Sequence, residues 1–198
     1  MAEILVLYYS RNGSVKQMAK FLGRGIEMVP NVSAKVRTVP PVSPTTKKTE
    51  PLVPEDGAPY VEIDDVLACD GLAIGSPTRF GNMAAPMKYF VDQLGGIWHQ
   101  GALEGKPATV FTSAGSMHGG QESTLITMLI PLLHLGMLIT GVPYSVRELN
   151  STRTGGTPYG ASHLAGAKNE ISITDEEKTI CIEQGRRLGT IASRLKPR

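Results

Sequence analysis

Ile4-Leu5-Val6-Leu7-Tyr8-Tyr9-Ser10-Arg11-Asn12-Gly13-Ser14 is an apolar run that stops abruptly at hydroxyl, amide and glycine residues. That is the pattern of a buried strand feeding a loop. Beyond it Val15, Met18, Ala19, Leu22 and Ile26 recur at helical spacing. Ser14 and Gln17 have the hydroxyl-to-amide spacing of a capping box, which predicts a helix from Ser14. The loop then sits at a helix N-terminus, where unpaired backbone N–H groups and the positive end of the helix dipole favour a phosphate. It lacks both the G-x-G-x-x-G of dinucleotide folds and the G-x-x-x-x-G-K-[ST] of nucleoside triphosphatases, so neither pyrophosphate cradle is present. Two readings remain: a seat for a single phosphate ester, held by Ser10, Asn12, Gly13 and Ser14, or an ordinary strand-to-helix turn with a capped helix.

Other segments repeat the theme. Gly71 to Gly75, Ala108 to Thr112 and Met137 to Val142 are nearly continuous apolar runs, as expected of strands buried on both faces, and Val32 to Val39 alternates as a strand should. Helical patterns separate them, which implies an open, doubly wound α/β domain with a parallel sheet covered on both sides. Two more polar loops follow strands: Ser76 to Asn82, with Asn82 as a candidate N-cap, and Thr112 to Gly120. In such sheets ligands bind outside the carboxyl ends of the strands, so three loops at that edge make a site.

The chain has 198 residues, 41% of them hydrophobic, which suits one domain spanning residues 1–198. A formal net charge of +2 is too small and dispersed to argue for nucleic acid. The basic cluster Arg186, Arg187, Arg194, Lys196 and Arg198 lies in the last helix, where cations near a C-terminus complement the dipole. Cys69 and Cys181 read as buried free thiols of a reducing compartment rather than a disulfide or a metal site. No targeting pattern or membrane-length apolar run is visible, and a cytoplasmic protein is expected.

Two stretches, near 40–60 and 143–173, read as irregular. The first carries Pro40, Pro41, Pro44, Pro51, Pro54 and Pro59; it is either disordered or an ordered surface excursion anchored by Leu52, Val53 and Tyr60. The helix from Glu122 to about Leu135 is apolar around almost its whole circumference and therefore needs cover on two sides. A second copy of the chain supplies the outer cover, or the proline-rich excursion does. A last helix opens with Thr174-Asp175-Glu176-Glu177, an N-cap and capping box.

The loop at Ser10 to Ser14, PTRFGNM at Pro77 to Met83, GGQE at Gly119 to Glu122 and GGTPYGA at Gly155 to Ala161 resemble the WrbA-type NAD(P)H:quinone oxidoreductases. The resemblance covers nearly the whole chain. It implies a flavodoxin-like fold with a five-stranded parallel sheet in the order 2-1-3-4-5, bound FMN, a homotetramer, and two-electron reduction of quinones by NADH or NADPH. It also implies that the FMN phosphate lies on Ser10, Arg11, Asn12, Gly13, Ser14 and Val15. The ring system would lie against Pro77, Thr78, Arg79, Phe80 and Gly81 on one side and Ser113, Ala114, Gly115, Ser116, Met117 and His118 on the other. His134 would assist the flavin electrostatically, and Trp98, Asn12 and Phe80 would meet the substrate. Asn12 stands where the family often has an aromatic residue.

On this reading the flavin carries the chemistry, no side chain acts as a nucleophile, and no metal is needed. Each assignment has a plainer counterpart. His134 can serve as a helix C-terminal cation, Trp98 as filling beside Gly95 and Gly96, and Arg79 as half of an ion pair. An FMN-binding electron carrier or a regulatory flavoprotein without quinone turnover is the alternative function.

Overall fold

The opening apolar run forms β1 (Ala2–Tyr8). Leu5 and Leu7 point into one core with Leu72, Ile74 and Val110, while Ile4, Val6 and Tyr8 point into another with Met18, Leu22 and Phe111. Burial on both faces is why the strand reads as continuous rather than alternating. This computed structural model describes residues 1–43 and 54–196; the expectations attached to Pro44, Pro51, Leu52, Val53 and Arg198 lie outside the described residues.

After β1 come α1 (Ser14–Glu27), β2 (Val32–Thr38), α2 (Ile63–Ala68), β3 (Gly71–Arg79), β4 (Asn82–Met83) and α3 (Ala85–Gln93). Two 3-10 turns, Leu94–Gly96 and Trp98–Gln100, lead to β5 (Pro107–Ala114) and α4 (Gln121–His134). The chain continues through β6 (Leu138–Ile139), α5 (Glu148–Ser151) and β7 (Ala161–Leu164) to α6 (Asp175–Leu195). The sheet runs β2-β1-β3-β5-β6 with every one of these pairs parallel, so the expected order holds once the short β4 is set aside. Val6 stands between Val36 and Ala73, and Ile74 opposite Val110.

The last sheet position differs from expectation. Met137 to Val142 contributes only Leu138–Ile139, paired to the start of β5, and β7 pairs with its end, Thr112 opposite Ser162. β7 comes from the region expected to be irregular. It is short, and its buried Ser162 and His163 are carried by polar partners, so it leaves no apolar run to read.

Helices α1 and α6 cover one face. A Cβ on Gly25 would stand 1.8 Å from the Ile182 carbonyl oxygen, and one on Gly185 2.0 Å from that of Leu22, so the two backbones touch where neither helix has a side chain. Helices α3 and α4 cover the other face through Met87, Phe90, Leu125, Met128 and Leu132. The opposite side of α4 is bare in the single chain: Ile130 and Leu133 are each 59% exposed, and Ile126 is exposed with them. The described end of the proline-rich excursion lies elsewhere, with Asp56 2.6 Å from Lys16 of α1 and the Ala58 N–H on the Tyr8 hydroxyl.

Candidate functional site: an anion cleft at the carboxyl edge

The loop after β1 turns at Gly13, whose φ of +94° is the left-handed conformation that glycine adopts without a Cβ penalty. Gly13 is the N-cap of α1, its N–H donating to Ser10 Oγ. Ser14 is the first helical residue, so the expected Ser14–Gln17 capping box does not form: the Gln17 N–H donates to the Gly13 carbonyl. The Ser14 hydroxyl reaches across the chain instead, donating to Asn169 Oδ1 at 2.7 Å. The first turn of α1 therefore has no side-chain cap, and its N–H groups are free to meet an anion.

The second loop is tighter than the sequence suggests. β3 runs on to Arg79 and folds back as a hairpin, Thr78 opposite Met83, with Phe80 (φ +52°) and Gly81 (φ +76°) at its tip. Asn82 is thus a strand residue, its Oδ1 accepting from the Met83 N–H; Ala84 is the N-cap of α3 and Pro86 sits in its first turn. A left-handed phenylalanine costs about 1–2 kcal/mol, and the Phe80 side chain is fully exposed. Packing of the Phe80 side chain within the chain does not repay that strain, a pattern that clusters at functional sites.

The third loop leaves β5 and ends at Gly120, the N-cap of α4. Buried Gln121 holds it, donating from Nε2 to the Met117 carbonyl and accepting at Oε1 from Ser162 Oγ. Thr78 and Thr124 hydroxyls join the second loop to α4 at 2.6 Å.

Between these loops lies a cleft of about 190 Å³. Ser10, Arg11, Asn12, Ser14 and Val15 line one wall, and Pro77, Thr78 and Arg79 another. Ser113, Ala114 and Gly115 form the third. The fourth, Ala165, Gly166, Ala167 and Asn169, follows β7 and was not legible in the sequence, because β7 itself was not. Asn169 is its working residue: besides accepting from Ser14 it donates from Nδ2 to the Asn12 carbonyl at 3.1 Å. Its own φ of +59° is one that asparagine tolerates. Among the described residues two arginines and no carboxylate line the cleft, and neither Arg11 nor Arg79 makes an ion pair. Arg79 instead donates to the Thr78 carbonyl.

The remaining expected residues fall in two groups. Gly13, Phe80 and Gly81 sit at the turns that shape the cleft, while Ser116, Met117 and His118 are exposed on the third loop and do not line it. His134 and Trp98 lie elsewhere. α4 runs from Gly120, beside Thr78, to its C-terminus, where the Gly136 carbonyl accepts from Gly105 ahead of β5. His134 is thus about 20 Å along the helix from the cleft, at the amino edge of the sheet. There its ring meets Trp98, with centroids 5.4 Å apart. One chain does not bring these two residues to the three loops.

β7 is held in place by a buried pair. His163 Nδ1 and Glu177 Oε2 are 2.8 Å apart, and both side chains are buried. Glu177 also accepts from the N–H groups of Gly155, Leu164 and Thr174, completing the capping box expected at Thr174. Burial pushes the Glu177 carboxyl up, but the His163 ring and the backbone donors outweigh it and hold the carboxyl below its ordinary range. No group of three or more His, Cys, Asp or Glu side chains suited to a metal occurs among the described residues.

An open parallel sheet with helices on both faces and a cleft at its switch point defines a doubly wound α/β protein, and the donors lining that cleft suit an anion. The comparisons narrow this. Residues 4–148 match the family described as NADPH-dependent FMN reductase, and the chain belongs to that family. It is 40% identical over 201 residues, 97% of this chain and 98% of the other, to a Geobacter sulfurreducens protein named NAD(P)H dehydrogenase (quinone). Among solved structures it superposes with a TM-score of 0.71 on a flavodoxin, WrbA-like protein from Agrobacterium tumefaciens, at 19% identity over 99% of this chain and 100% of that one. A flavodoxin from the domain Archaea gives 0.64 at 21% identity, over 96% of this chain and 99% of that one. The fold is flavodoxin-like.

Proposed function

We propose that the protein is an FMN-dependent NAD(P)H:quinone oxidoreductase. The observation that carries the reading is the cleft itself: hydroxyl and N–H donors at the start of α1, an exposed aromatic at the rim and, among the described residues, two arginines without an ion-pair partner and no carboxylate. These donors fit FMN, whose single phosphate suits Ser10, Asn12, Gly13 and the first turn of α1. Arg11 adds charge without a competing carboxylate. Pro77, Thr78 and Arg79 line the space left for the ring together with Ser113, Ala114 and Gly115, and Phe80 offers a flat apolar surface to an aromatic substrate. Ser116, Met117 and His118 belong to the exposed outer end of the same loop in this assignment. When bound, FMN supplies the chemistry of accepting a hydride from NADH or NADPH and passing two electrons to a quinone.

The bare face of α4 supports a homo-oligomer, with a tetramer as the expected size. A second copy would bring His134 and Trp98 to a neighbouring cleft, which reconciles their assigned roles with their distance from the cleft of their own chain. Two buried thiols, with Cys69 pushed up to about 11 by burial and Cys181 higher still, support a reducing, cytoplasmic setting. No helix among the described residues is long and apolar enough to cross a membrane.

Anaerobic mixing of the FMN-loaded protein with NADH or NADPH, then with benzoquinone, tests the proposal. The oxidised flavin absorbance is expected to disappear fully on adding the nicotinamide and to return rapidly with quinone. Failure of either nicotinamide to reduce the protein, or of quinone to restore the band, would leave the electron carrier or the regulatory flavoprotein.

A further inference from the structure

Arg186, Arg187 and Arg194, the core of the basic cluster in the sequence, are exposed but line one common groove. The segment at 143–148 runs beside α6, anchored by buried Val146, and a cavity of about 490 Å³ opens between segment and helix. That volume lies within the range of small-molecule sites. Arg147 lines it from the segment, and the three arginines of α6 line it from the helix. The helix dipole accounts for Arg194 in the last turn but not for Arg186 and Arg187, which lie more than two turns from its end.

Carboxylate partners do not account for them either. Lys35 and Arg37 share Asp65, and Lys196 has Asp70. In the groove only Arg186 has a partner, Glu183; Arg147, Arg187 and Arg194 make no ion pair among the described residues. Four arginines against Glu148 and Glu183 leave the groove with a charge of +2, equal to that of the entire chain. Guanidiniums converging from two elements repel one another, and an anion between them relieves that repulsion.

We propose that this groove binds a small polyanion carrying two or more phosphoryl groups. Arg187 and Arg194 are about 10 Å apart along the helix axis, a span that suits a chain of anionic groups rather than one. Guanidinium forks match phosphoryl oxygens in pairs, and the hydroxyls of Ser145 and Thr179 add donors. The groove shares no residue with the carboxyl-edge cleft, so both can be filled at once.

Isothermal titration of inorganic tripolyphosphate into the full chain saturated with FMN tests this, because the first cleft is then occupied. One tripolyphosphate per chain is expected, with affinity falling as salt is raised. Binding should weaken tenfold or more in Arg187→Ala/Arg194→Ala and in Arg147→Ala, and stay unchanged in Arg153→Ala, an exposed arginine outside the groove. Orthophosphate and succinate should each bind at least tenfold more weakly. No binding heat, competition by FMN, wild-type affinity in the double variant, or succinate binding as tightly as tripolyphosphate would each overturn the proposal.

Discussion

Asn169 grips the loop after β1 with both ends of its amide, accepting from the Ser14 hydroxyl and donating to the Asn12 carbonyl. It acts through the loop, as a positioning residue, and its partners are more than 150 positions away in the sequence. A hydrogen bond of this kind contributes about 1 kcal/mol. Asn169→Ala removes two and frees Asn12 and Ser14 to move, so FMN affinity is expected to fall about tenfold, or about 1.4 kcal/mol. Titration of flavin fluorescence measures that loss, with the denaturation midpoint as a check on the fold. Unchanged FMN affinity would show that the loop is set by Gly13 and Ser10 alone. Nothing local to Asn169 announces its role, since asparagine in a polar stretch most simply reads as a turn.

At the scale of elements, β7 and the start of α6 are joined by one carboxylate. Glu177 takes N–H groups from Gly155, Leu164 and Thr174 and faces His163, so three parts of the chain converge on it. Its folded-state pKa lies below the ordinary 4.5. The corresponding stability is present above that value and is lost as pH falls through the lower, folded-state pKa. The urea midpoint is therefore expected to decline steeply as the pH drops below 4.5, and less steeply in Glu177→Gln. At neutral pH that variant should be less stable by about 2–3 kcal/mol, the range for a hydrogen-bonded buried charge. Parallel pH dependences in the two proteins would assign the acid sensitivity elsewhere. The capping-box half of this arrangement is visible in Thr174 to Glu177. The half that recruits β7 is not, because the spacing from His163 to Glu177 follows no local period.

For the whole molecule the bare stripe of Ile126, Ile130 and Leu133 is the surface on which the proposed homo-oligomer rests. An interface there would bury these side chains, and an unpaired carboxylate in it costs several kcal/mol. Ile130→Glu is expected to convert the oligomer to monomer by light scattering while leaving the far-ultraviolet circular dichroism unchanged, since Ile130 makes no part of the chain's own core. Quinone turnover should fall with dissociation if a neighbouring copy supplies His134 and Trp98. A variant that stays assembled would place the interface on another surface.

The sequence by itself determined the long strands, the two helix layers and the three loops of the cleft, while the order of the strands was implied by the family resemblance alone. Strands, layers and loops depend on local signals: apolar runs buried on both faces, helical periodicity, and glycine or hydroxyl residues at strand ends. Only the tertiary structure decided the rest. It put β7 beside β5, made Asn169 a clamp, turned Asn82 into a hairpin residue, sent His134 and Trp98 to the amino edge, and walled the arginines of α6 with the 143–148 segment. Each of these depends on polar or backbone partners distant along the chain. Apolar burial is legible from one residue's own character, whereas a polar residue's place is fixed by the partner that satisfies it.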